Sequence, residues 1–158
     1  MTTDITPCLW FDGMAEQAAR FHCSLFPNSR VTLPATPTPE GEKPPLVVLW
    51  EIDGQKLMGI NGGPHYRLSP AFSLAILVDT QAEVDRLWNA LTADGGKESM
   101  CGWCEDRFGV SWQIVPRRLN QLMDDPDREA AQRVTQAMLK MKKLVIADLE
   151  AAHAGNKA

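Results

Sequence analysis

Cys101-Gly102-Trp103-Cys104 sets two thiols at CxxC spacing, which suits either disulfide exchange or a metal. A redox pair needs a helix N-terminus, whose dipole lowers one thiol pKa. This pair lies instead between two predicted strands. A zinc site needs two further ligands, and the chain has no second CxxC and no H-x₃₋₅-H. Two ordinary thiols in a β-turn are the expected reading, with a thiol redox protein using Cys101 and Cys104 as an alternative. The histidines are scattered. His22 lies beside the apolar stripe of a predicted helix and His153 in the tail, whereas His65 sits in a Gly/Pro loop that could border a pocket. No GxSxG occurs, and no serine or cysteine has the setting of an activated nucleophile. Gly59-Ile60-Asn61-Gly62-Gly63 follows a strand, but Pro64 argues against the helix start that a phosphate cradle requires. Trp10, Trp50, Trp103 and Trp112 fall on or beside strands. Core packing is expected for Trp10 and Trp112, while Trp50 and Trp103 could equally line a hydrophobic pocket.

The elements that must position these groups follow from periodicity. Residues 5–11 read as a strand ending at a capping Asp12-Gly13, and residues 14–26 as a helix with Met14, Ala18, Phe21 and Leu25 on one stripe. Residues 30–33 form a short strand. Residues 34–45 contain five of the eleven prolines and predict a stiff exposed loop. Residues 46–52 and 55–61 are strands joined by Asp53-Gly54, a two-residue hairpin signal that sets Trp50 opposite Leu57 and Glu51 opposite Lys56. After a Gly/Pro loop, residues 72–78 form a strand. Thr80 and Glu83 stand in capping-box spacing before a helix whose stripe is Val84, Leu87, Trp88 and Leu91. Strands over 97–103 and 111–115 flank a turn at Asp106-Arg107-Phe108-Gly109. The last forty residues read as helical, with Asp125-Pro126 as cap and first position. Their seam is Val134, Met138, Met141, Val145 and Leu149.

A repeat runs through this order. Phe11-Asp12 leads to Ala15-Glu16, and Val78-Asp79 leads to Ala82-Glu83, at a constant offset of 67 residues. Each copy is a strand, a capping Asp, an amphipathic helix and further strands. The reading is an α+β chain of one domain, built from a duplicated unit enclosing one small-molecule pocket. Its modules span about 1–66 and 67–116, with C-terminal helices over about 117–152.

The bulk numbers agree. A chain of 158 residues with net charge −4 carries no basic stripe for nucleic acid. No apolar run approaches the ~20 residues of a membrane helix. The first residues are polar and lack a basic-then-apolar leader, so a cytoplasmic protein with reduced thiols is expected.

Three strings carry a resemblance: ITPCLWFDGMAEQAARFHCSLFPNS, CGWCEDRFGVSWQIVP and DPDREAAQRVTQAMLKMKKLVIADLEAA. They resemble the PhnB-like branch of the vicinal-oxygen-chelate superfamily, which includes glyoxalase I, bleomycin-resistance proteins and extradiol dioxygenases. The branch carries the family label 3-demethylubiquinone-9 3-methyltransferase. The resemblance spans nearly the whole chain and implies paired βαβββ modules and a homodimer, with the C-terminal helix and the proline-rich loop as its expected dimer elements.

Catalytic members of the superfamily hold a divalent metal on inward-facing strand positions. Those positions fall here at Pro7, at Met58 or Ile60, at Ser73 and at Gln113. Proline and aliphatic or thioether side chains are not hard N/O ligands, serine is a poor one, and Gln113 alone could coordinate. The expectation is therefore no metal and no other cofactor. The first hypothesis is a metal-independent protein binding a small, partly aromatic ligand, with no nucleic acid or membrane partner. Its expected wall is Phe11, Trp50, Met58 and Ser73, with Trp103, Phe108 and Gln113. Asp106 and Arg107 would pair with each other or meet a charged group, and His65 is a further candidate polar residue. The alternative is an enzyme such as the named methyltransferase, although Asp12-Gly13-Met14 after the first strand is not the G-x-G turn of a typical S-adenosylmethionine site.

Overall fold

The computed structural model describes residues 3–155. The chain divides into two compact units, Met1–Leu68 and Ser69–Ala158. The first contains β1 (Cys8–Phe11), α1 (Ala15–Leu25), β2 (Arg30–Leu33), β3 (Val47–Ile52) and β4 (Gln55–Asn61). The second contains β5 (Leu74–Val78), α2 (Gln81–Thr92), β6 (Lys97–Glu98), β7 (Trp103–Glu105) and β8 (Ser111–Pro116). The helices α3 (Arg117–Met123), α4 (Arg128–Met138) and α5 (Ile146–His153) follow.

Each unit holds one four-stranded sheet, ordered β1-β4-β3-β2 and β5-β8-β7-β6. In both, the first strand runs parallel to the last, and the remaining neighbours are antiparallel. The 67-residue repeat is thus one topology used twice: an α+β fold of two βαβββ modules with a C-terminal helical extension.

The β3–β4 hairpin has the expected register, with Trp50 opposite Leu57 and Glu51 opposite Lys56. Asp53 and Gly54 both have positive φ, 44° and 89°, as a two-residue turn matching strand twist requires. The capping box at Thr80 and Glu83 is present, and Val84, Leu87, Trp88 and Leu91 are the buried face of α2.

Helix α1 departs from its expected stripe. Its buried residues are Ala15, Ala18, Ala19 and His22, and Met14 is exposed. His22 lies against Trp50, with ring centroids 6.1 Å apart, so a polar residue completes the apolar face. No side chain of residues 12–14 caps the helix; Ala15 N–H instead donates to Asn61 Oδ1 at 3.0 Å, reaching across to β4. The proline-rich loop lacks regular structure, yet it rests on α1, where Thr38 N–H donates to Glu16 Oε1 at 3.1 Å. A pocket of about 330 Å³ remains between the two.

The C-terminal region also differs. It forms three helices, α4 is capped by Asp127 instead of Asp125, and Val145 is the residue before α5. The break has a local cause. Cys101 and Gly102 N–H donate to Met141 and Lys142 carbonyls at 2.7 Å each. The Gln81 side chain donates to Leu144 O and accepts from Ile146 N–H. Backbone groups committed to these partners are withdrawn from a continuous helix. Most of the expected seam is buried inside the second unit: Val134 and Leu149 cluster with Leu119, Leu122 and Leu144, and Met138 and Met141 pack against them, while Val145 lies outside the cluster. His153 belongs to α5, not to a frayed tail, and its Nε2 lies 3.0 Å from Asp125 Oδ2.

Candidate functional site

The two-residue alternation of a strand sorts each sheet into a helix face and an opposite face. In the first unit the buried members of β1, β3 and β4 are Leu9, Phe11, Val48, Trp50 and Leu57. A Cβ on Gly59 would stand 3.1–3.3 Å from Ala15, Trp50 and Phe11, so both aromatic rings meet α1 over that glycine. Phe11 and Trp50, expected in a pocket wall, are core residues, 3% and 1% exposed. Met58 falls on the opposite face, beside its register partners Cys8 and Leu49. Trp10 also leaves the core: it alternates with Leu9 and Phe11, is half-buried, and donates from Nε1 to Gly63 O at 2.8 Å. Tyr66 packs edge-on against its ring at 5.0 Å. His65 precedes it in an exposed turn.

In the second unit Trp112 and Ile114 are buried, leaving Gln113 on the opposite face of the inner strand β8. Its register partners are Ala75 on β5 and Trp103 on β7. Gln113 Nε2 donates to Ser73 Oγ at 2.8 Å. Ser73, Trp103 and Gln113, all half-buried, are therefore brought together on one sheet face. Ala75 was not anticipated. Its small side chain leaves space beside Gln113, and the register between the parallel strands β5 and β8 was its missing signal.

The turn at the end of this sheet is built otherwise than expected. Asp106 is 1% exposed and accepts from Phe108 N–H (2.8 Å), Val110 N–H (3.0 Å) and Trp112 Nε1–H (2.9 Å). Arg107 pairs with Asp94 at 2.9 Å and lies over the Phe108 ring, 5.1 Å from its centroid. Asp106 is a fastener of the β7–β8 turn, because its oxygens are committed to protein donors.

The CxxC is equally structural. Cys101 occupies a left-handed turn position with φ 60°, and no helix begins there. Burial, helped by the Asp106 charge, pushes the Cys104 thiol up to about 12, against thiolate chemistry.

The superfamily's metal can be tested against the donors present. The Pro7 carbonyl accepts from Met58 N–H at 3.0 Å, holding β1 to β4. Met58 offers a thioether, and Ser73 and Gln113 are bonded to each other. Neither unit's donors fit a hard divalent ion. Among the described residues no three of His, Cys, Asp and Glu converge.

Comparison with known proteins places this geometry. The profile of the 3-demethylubiquinone-9 3-methyltransferase family matches residues 3–115, ending before α3. A solved protein from Bacillus cereus, described as a putative 3-demethylubiquinone-9 3-methyltransferase, PhnB protein, is similar at 28% identity and TM-score 0.63. The match covers 72% of this chain and 99% of that one. Protein PA1353 from Pseudomonas aeruginosa is similar at 26% identity and TM-score 0.57, over 73% of this chain and 98% of its own. No curated protein matches the chain significantly. By its match over residues 3–115, more than half of its length, the chain belongs to the 3-demethylubiquinone-9 3-methyltransferase family.

Proposed function

We propose that the chain binds a small, partly aromatic molecule and does so without the superfamily's metal. The observation that carries this reading is the Ser73–Gln113 hydrogen bond, beside Trp103, at positions where catalytic relatives place metal ligands. A neutral amide and a hydroxyl on a half-buried sheet face suit ligand recognition by hydrogen bonding and ring contact. Phe108 remains in the proposed wall, and Phe11 and Trp50, packed under α1, leave it. The reading is tested by releasing and mass-detecting small molecules from natively purified protein while assaying its metal. A stoichiometric organic ligand is expected, and a stoichiometric transition metal overturns the proposal.

The family description favours a second reading, methyl transfer. Calorimetric titration with S-adenosylmethionine separates the two: micromolar binding supports methyl transfer, and no heat supports the ligand-binding reading. A cytoplasmic homodimer belongs to the first reading. Four free cysteines support the reducing compartment, and light scattering tests the dimer.

A further inference from the structure

The unused hydrogen-bonding capacity of one side-chain pair narrows the ligand. Gln113 is the polar member of a register row whose other members are Ala75 and Trp103. One Nε2–H is spent on Ser73 Oγ. The second Nε2–H, Oε1 and the Ser73 hydroxyl proton have no partner among the described residues, leaving two donors and one acceptor at one place. Directly opposed side chains lie about 5 Å apart, within reach of a ring resting on the Trp103 indole. Glu105, two residues from Trp103 and on the same face, is paired with Lys97 at 2.6 Å, so its charge is matched inside the protein. The row offers no ion to balance a charged ligand.

We infer that this face, resting on the small-molecule reading above, recognises a planar uncharged ring bearing a hydrogen-bond donor and acceptor on neighbouring atoms, as in a cyclic amide. The ligand's donor meets Gln113 Oε1. Its acceptor receives Nε2–H or the Ser73 hydroxyl, and Ala75 leaves room for the ring edge. A ring lacking either group leaves a half-buried partner unsatisfied, which gives the site its selectivity.

Calorimetric titration of the full chain with 2-quinolone, N-methyl-2-quinolone and naphthalene tests this. All three are planar and uncharged; the second lacks the donor and the third lacks both groups. 2-Quinolone is expected to bind at least about tenfold tighter than N-methyl-2-quinolone, the worth of one good hydrogen bond. Gln113→Leu should reduce that ratio below about threefold. Gln113→Met, close to glutamine in shape but with neither amide group, should lower that ratio likewise. Circular dichroism and melting confirm that both variants are folded. Equal affinity for all three rings, or a preference unchanged in the folded variants, overturns the inference and leaves small-molecule binding standing. Absence of heat with every ring also overturns it, and the molecules released from natively purified protein then decide the broader reading on their own.

Discussion

Asp106 carries more of this structure than its place in a turn suggests. Three donors converge on a carboxylate that is 1% exposed, so a substitution there strands buried N–H groups. Asp106→Asn keeps Oδ1 for the two backbone donors but turns an NH₂ toward the Trp112 indole N–H. The loss should be about 2 kcal/mol in urea unfolding, with Asp106→Ala costing more. The two CxxC thiols should part company in alkylation. Cys104, buried and pushed up to about 12, should resist iodoacetamide at pH 8 in the native protein and react after unfolding, whereas partly exposed Cys101 reacts in both. Equal native reactivity of the two would contradict this and revive the redox reading. At this scale the sequence was only partly legible. The types at Ser73, Trp103 and Gln113 are visible in the sequence, but the burial of Phe11 and Trp50 against α1 is not. Alternation says which residues share a face and not which face meets the helix, and Gly59 decides that only once α1 lies over it.

Elements show the same division between local and distant causes. The Asp53-Gly54 hairpin and the Thr80–Glu83 box lie within a few residues of chain and are legible in the sequence. The cap of α1 comes from Asn61, 46 residues away, and no nearby signal announces it. The broken C-terminal helix has a distant cause too, since the turn at 101–102 and Gln81 hold residues 141–146. Gly102 is the tight point of that clasp. Its φ is +81°, and a Cβ would stand 2.8 Å from Ile114 O and 2.9 Å from Leu144 Cδ1. Gly102→Ala should therefore cost about 3 kcal/mol, combining left-handed strain with a clash against backbone. Gly54→Ala, at φ +89° with nothing within 4 Å, should cost only about 1 kcal/mol. Similar losses for the two would show that the clasp is not tight.

Over the whole molecule, the family's extent and the chain's extent differ. The matched region ends at residue 115, while α3–α5 and their apolar cluster complete the second unit. Exposed carboxylates add to the apolar cluster around that extension. Hydrogen bonds from Lys143 and Gln81 hold Asp85 below its ordinary pKa, and those from Trp88 and Lys142 do so for Glu98. The Asp127 backbone N–H, with His153, does the same for Asp125. A carboxyl held low binds fewer protons folded than unfolded. These groups therefore add stability above the ordinary carboxylate range, and it is lost as pH falls through that range toward their folded values. The melting temperature should fall between about pH 5 and pH 3, with amides of α5 exchanging first. Because these pairs are exposed, raised salt should shrink the fall. The central claim, binding without a metal, is most directly tested by titrating 2-quinolone into protein dialysed against EDTA and into the same protein with added zinc or manganese. The account predicts one affinity throughout, and binding that vanishes on chelation and returns with the ion would contradict it.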